Sequence, residues 1–92
     1  MFELLVEIGI SERIKTYPKK EAENLKARLK SLSTNPFPDG KDKKEIKGTT
    51  KSVYRLRVGD YRFFYVIDLQ KRTVKVTEFL TAQQAHRKYG RI

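Results

Sequence analysis

The stretch Tyr54–Tyr65, YRLRVGDYRFFY, reads as a β-hairpin, and its register decides how the rest of the chain is arranged. Aromatic and branched residues alternate with arginines on either side of Val58-Gly59-Asp60-Tyr61. Glycine at the first central position suits a two-residue type II′ turn. Such a turn pairs Val58 with Tyr61, Arg57 with Arg62, Leu56 with Phe63 and Arg55 with Phe64. Side chains alternate across a strand, so the register predicts two faces. Tyr54, Leu56, Val58, Tyr61, Phe63 and Tyr65 form the face that belongs in a core, and Arg55, Arg57, Arg62 and Phe64 form the other.

That second face has a cost. Arg57 directly opposite Arg62 is a like-charge cross-strand pair, unfavourable by roughly 0.2–1 kcal/mol. A charge-assisted hydrogen bond to phosphate contributes about 1.5–3 kcal/mol, so a bound polyanion reverses the sign. Arginine rather than lysine suits forked recognition of phosphate oxygens. Phe64 beside the arginines offers a ring on which a base could stack. The plainer alternative is a solvated face whose long side chains fan into water near carboxylates.

Outward from the hairpin, Phe2–Ile8 is predicted as a strand with Leu4, Val6 and Ile8 on one face and Glu3 and Glu7 on the other. Ser11 is placed to cap a short helix. Pro18 opens a second helix, in which Ala22, Leu25, Leu29 and Leu32 recur at helical spacing. SLSTNPFPDG ends it, because prolines and a glycine cannot continue a helix. Pro38–Lys51, PDGKDKKEIKGTTK, reads as a polar, lysine-rich loop. Thr73–Leu80 forms a third strand after that loop, and the tail TAQQAHRKYGRI forms one helical turn or stays loose. The order β-α-α-β-β-β predicts an α+β fold. A twisted antiparallel sheet carries two helices packed on one face, in a single domain spanning residues 1–92.

The chain carries 21 Lys+Arg against 11 Asp+Glu, a net charge of +10. Residues 1–40 hold 7 basic and 6 acidic side chains, whereas residues 41–92 hold 14 and 5. A field so lopsided attracts polyanions, nucleic acid foremost. There is no cysteine, which rules out disulfides and thiolate metal sites and fits a reducing cytoplasm. No apolar run approaches the ~20 residues that cross a membrane, and the N-terminus lacks the basic start of a signal peptide. Acidic pairs at metal-ligand spacing are lacking too, so no metal is expected.

The segment IKGTTKSVYRLRVGDYRFFYVID (Ile46–Asp68) resembles the RelE/ParE toxin superfamily, specifically RelE-like toxins of archaeal type. The pattern is Lys-Gly, a short spacer, Tyr-Arg-x-Arg, then Gly-Asp-Tyr-Arg. YPKKEAENLKARLKSL (Tyr17–Leu32) resembles the family's second helix, and the likeness runs from about Phe2 to Tyr89. It implies the toxin of a type II toxin–antitoxin pair, with a RelB-like antitoxin as protein partner and the ribosome and mRNA as targets. Such toxins cut mRNA in the ribosomal A site with no metal or small-molecule cofactor. The RNA 2′-hydroxyl is the nucleophile, leaving a cyclic phosphate and a free 5′-hydroxyl. Carried over by position, the catalytic candidates are Arg55, Arg57, Arg62, Arg87 and Tyr89. Lys47, Lys51, Phe64, His86, Lys88 and Arg91 complete the expected RNA-binding set. Two other readings stand beside this one: a ParE-like inhibitor of DNA gyrase, and a basic RNA-binding module without catalysis.

Transesterification needs a group to take the 2′-proton, a group to steady the dianionic phosphorane and a group to protonate the leaving oxygen. The arginines suit the middle task and are poor proton shuttles. His86 and Tyr89 are the candidates for proton transfer. A site strong in charge and weak in acid–base groups predicts feeble activity unless a partner positions the substrate.

Overall fold

The computed structural model describes residues 1–46 and 52–90. Eight elements follow one another: β1 (Glu3–Val6), α1 (Ile8–Lys15), α2 (Lys19–Thr34), β2 (Lys43–Ile46), β3 (Val53–Val58), β4 (Tyr61–Asp68), β5 (Thr73–Thr81) and α3 (Ala82–Tyr89). The strands form one sheet in the order β1-β5-β4-β3-β2. β1 runs parallel to β5, and the other neighbours are antiparallel. The sheet is therefore mixed and not wholly antiparallel as expected: α1 and α2 carry the chain from β1 at one edge to β2 at the other, and the last strand, β5, returns to lie parallel to β1.

The hairpin has the register its turn dictates: Tyr54 opposite Tyr65, Arg55 opposite Phe64, Leu56 opposite Phe63, Arg57 opposite Arg62 and Val58 opposite Tyr61. Gly59 has φ of 58°, the left-handed value required at the first position of a type II′ turn. The inward face builds the main core. Leu56, Phe63 and Tyr65 are buried there with Val74, Val76 and Phe79 of β5. Phe63 stacks on Phe79, ring centroids 4.5 Å apart.

Helices α1 and α2 cover this face. Ile10 and Ile14 of α1, and Ala22, Leu25, Leu29 and Leu32 of α2, supply the buried stripe. Each leucine so buried contributes about 1.5–3 kcal/mol, which outweighs the modest helix preference of so charged a sequence. α1 differs from expectation at its start. The strand stops at Val6, Glu7 occupies the cap position with no side-chain cap, and Ser11 lies inside the helix. Ile8, expected on the inward face of a strand, opens α1 and is 78% exposed.

One element was not foreseen, and another is longer than the single turn expected. The segment expected to be a loop contains β2, a four-residue edge strand paired with β3 from Lys43–Leu56 to Ile46–Val53. The tail forms α3, held at its start by a capping box. Thr81 Oγ1 accepts from the Gln84 N–H at 3.1 Å, and Gln84 Oε1 accepts from the Thr81 N–H at 2.9 Å. α3 packs on the face opposite α1 and α2, where Ile46, Phe64 and Ala85 form a second, smaller core with Val53, Leu80 and Tyr89 around it.

Candidate nucleic-acid interface

The arginine face is the outer face of the sheet, and its rows follow from the register. One row runs Arg57, Arg62, Leu80, and the next runs Arg55, Phe64, Glu78. A β-bulge sets the second row. Phe64 pairs with Glu78 but Tyr65 pairs with Val76, so Thr77 is an extra residue on β5. The bulge turns Val74 and Val76 inward on one side and Phe79 inward on the other, and directs Glu78 outward beneath α3.

The three arginines of this face have different surroundings. Arg57 is exposed, and its Nε and Nη2 donate to Asp42 Oδ1 at 3.3 and 3.1 Å. Arg62 is half-buried and donates to the carbonyls of Gly59 and Tyr61 at 2.8 and 2.9 Å. Arg55 is 4% exposed. Its Nη2 donates to the carbonyls of Lys41 and Asp42 at 3.2 and 3.3 Å, and its Nε has no partner among the described residues. The expected row of displayed arginines is thus two at the surface and one beneath a loop. Burial lowers the Arg55 pKa from its ordinary value, and Arg62 and Arg57 lower it further. For Arg62 burial comes first and Arg57 second. The guanidinium groups therefore do oppose one another.

The loop over Arg55 is built around two aspartates. Asp39 Oδ1 accepts from the backbone N–H of Lys41 at 2.8 Å and of Lys43 at 2.9 Å. Asp42 accepts the Arg57 N–H on its carbonyl at 2.8 Å, and its second carboxylate oxygen takes Arg28 Nη2 of α2 at 3.3 Å. Hydrogen bonding from Arg57, and then from Arg28, holds the Asp42 carboxyl below the usual carboxylate range.

α3 brings the C-terminal candidates to the same face. Ala85 is buried against it, and the Tyr89 ring tilts over Phe64 with centroids 4.5 Å apart. The Tyr89 hydroxyl and the Lys88 ammonium both donate to Glu78. Phe64 is fully buried under this cover, so the stacking ring expected from the sequence is occupied by the protein's own tyrosine. Burial first, and the bond to Glu78 second, raise the Tyr89 pKa to about 12. At neutral pH Tyr89 is a donor, not a base. His86, Arg87 and Lys88 are exposed on α3. Lys47, Lys51 and Arg91 lie outside the described residues.

Sequence reasoning passed over Asp42, Arg28 and Glu78. The signal for Glu78 was present: the apolar residues Val74, Val76 and Phe79 are spaced by two and then three, which a regular strand cannot place on one face. Asp42 and Arg28 carried no local signal, since only the return of β2 along β3 joins them to Arg57.

A five-stranded sheet with two helices inside and a short helix closing the outer face is the fold of RelE-type toxins. The RelE of the archaeal RelE–RelB complex from Pyrococcus horikoshii OT3 superposes with a TM-score of 0.74 at 21% identity, covering 87% of this chain and 93% of that one. The isolated RelE toxin of E. coli gives 0.70 at 16% identity, covering 96% and 98%. A curated relative from Methanocaldococcus jannaschii that carries the name RelE1 is 28% identical over 87 residues, 94% of this chain and 96% of its own. The profile of the ParE toxin of type II toxin–antitoxin systems, parDE, matches residues 11–86, and the chain belongs to this toxin family.

Proposed function

We propose that this protein is a toxin that cuts mRNA on the ribosome, through metal-independent attack of the RNA 2′-hydroxyl, and that residues 1–92 form one toxin domain. The observation that carries this reading is Arg57 set opposite Arg62 on a face that α3 also borders. Two guanidinium groups forced together lose energy until an anion lies between them. Arg57 and Arg62 would hold the scissile phosphate and steady the phosphorane. Arg87, exposed on α3, would add charge from the side, with His86 and Lys88 along the RNA backbone. Tyr89 would protonate the leaving 5′-oxygen, the one proton task its raised pKa allows. Arg55, being buried, would act by positioning the loop over it.

The protein partner in this reading is a RelB-like antitoxin, as in the RelE–RelB complex of P. horikoshii. The compartment is the cytoplasm, where ribosomes are. Among the described residues, no helix is long and apolar enough to cross a membrane.

The test is Arg57→Ala and Arg62→Ala in a cell-free translation system, with mapping of mRNA 5′ ends. Each loss should lower cleavage roughly ten- to hundredfold, the equivalent of about 1.5–3 kcal/mol. Two variants that cut as well as wild type would defeat the site. The matching family profile favours a second reading, inhibition of DNA gyrase. Loss of supercoiling by purified gyrase at stoichiometric toxin, with mRNA left whole, would select it.

A further inference from the structure

Asp42 places a carboxylate against the arginine face, although the proposed chemistry asks for none there. The contact is built from several directions. Asp42 Oδ1 accepts from both Nε and Nη2 of Arg57, and Oδ2 accepts from Arg28 across the sheet edge. The Asp42 carbonyl accepts from the Arg57 backbone and the Arg55 side chain, and Asp39 pins the loop on either side. The carboxylate is thus held by Arg28 of α2 and Arg57 of β3, and the backbone that carries it by β3 and by Asp39 of its own loop.

The Nε–Nη2 edge of an arginine is one of the two edges with which it grips a phosphate. We propose that Asp42 is a specificity-determining residue that holds this edge of Arg57, so that a dianionic transition state displaces it far better than a singly charged phosphodiester does. The inference rests on the nuclease reading above. A carboxylate and a phosphodiester each carry one negative charge, so exchanging one for the other at Arg57 gains little. A phosphorane carries two, and the exchange then favours the substrate. An interaction stronger in the transition state than in the ground state raises turnover without tightening substrate binding. For a chain of net charge +10, which attracts any RNA, the same device weakens unproductive binding.

The experiment uses D42N, whose amide oxygen still accepts from Arg57 but carries no charge. Binding of a short single-stranded RNA, 2′-O-methylated so that it cannot be cut, is followed by anisotropy over a salt series. Cleavage on programmed ribosomes is measured in parallel. D42N should bind the RNA roughly three- to tenfold tighter. Its salt slope should steepen by about 0.7, the value for one more neutralised phosphate on a single strand. On ribosomes KM should fall while kcat does not rise, and D42E should restore wild-type behaviour. In an Arg57→Ala background D42N should give no gain, and an equal gain there would reduce the effect to general charge and overturn the proposal. D42A serves as the second variant should the amide disturb the loop. Wild type that cuts mRNA while D42N and D42A bind and cut as it does overturns the Asp42 assignment alone. Wild type that cuts nothing overturns the nuclease reading and this inference with it.

Discussion

The Tyr89 ring lies across Phe64, and its hydroxyl donates to Glu78, the residue paired with Phe64 on β5. One side chain thereby fastens α3 to the sheet by two unlike interactions. It also explains why a helix with a single buried residue, Ala85, stays in place. The stack and the hydroxyl can be separated by substitution.

Tyr89→Phe keeps the ring and loses one hydrogen bond. It should cost about 1.5 kcal/mol, because the acceptor lost is a carboxylate. Tyr89→Ala also removes a half-buried ring and should cost about 2 kcal/mol, with amide protection lost first across Ala82–Tyr89. Hydrogen exchange on both variants checks this. Equal protection of α3 in wild type and Tyr89→Ala would mean that the stack does not hold the helix. In the proposed reaction Tyr89→Phe should still slow cleavage at least tenfold, because the lost hydroxyl is the proton donor.

Alkaline pH should act through the tyrosines. The Glu21 carboxylate, which accepts from the Tyr61 hydroxyl, raises the Tyr61 pKa to about 12; burial does most of the same for Tyr89, also to about 12, and burial raises Tyr65 as well. A pKa raised by folding gives stability that is full below the unfolded value, about 10 for tyrosine, and lost as pH rises through the folded value. Stability should therefore hold to about pH 9 and fall between about pH 10 and 12. Absorbance at the phenolate band, with single Tyr→Phe variants, should show these three residues ionising late. Ionisation of all three near pH 10 in the folded protein would contradict the hydrogen bonds and burial described.

Arg55 and Arg62 should separate stability from activity. Arg55→Ala leaves the Lys41 carbonyl without its donor, takes one of the two donors from the Asp42 carbonyl and empties a buried site, so it should cost about 1–3 kcal/mol. For a chain of this size that lowers Tm by roughly 4–8 °C per kcal/mol. Among the described residues Arg62 donates only to its own turn, so Arg62→Ala should stay within about 1 kcal/mol while activity falls. Thermal melts beside translation assays decide it. An Arg55→Ala protein as stable as wild type would show that the loop needs no such support.

The contrast between these arginines marks how far the sequence was legible. The hairpin register could be read because a glycine turn and a period of two act over neighbouring residues. The helices of the main core were legible for the same reason, in the stripe Ala22, Leu25, Leu29 and Leu32. The burial of Arg55 was not, since it depends on carbonyls 13 and 14 residues away. β2 escaped because KKEI has one apolar residue and is held as a strand by its partner β3. α3 was legible only as a single turn because its polar sequence has just Ala85 and Tyr89 as apolar contacts, with Lys88 bonded to Glu78 beside them, and it then filled the face where Phe64 was expected to lie open.

The bulge on β5 makes the sharpest prediction about the fold. With Thr77 present, Val76 faces Tyr65 and Phe79 faces Phe63, and two residues of β5 oppose Phe64. Deleting Thr77 leaves Glu78 alone between Val76 and Phe79. Every remaining side chain then keeps its face, and Glu78 stays opposite Phe64 within reach of Tyr89. The loss is one long hydrogen bond, from Thr77 Oγ1 to the Phe64 carbonyl at 3.4 Å, together with some local twist. That should cost about 1 kcal/mol. Deleting Lys75 instead makes Val74 and Val76 neighbours and turns one of these fully buried residues out of the core. It should cost more than about 3 kcal/mol and abolish cooperative melting. Thermal and urea unfolding of the two deletions compare them directly. Equal damage from both would mean that Thr77 is part of the regular ladder and that something other than a bulge sets the position of Glu78.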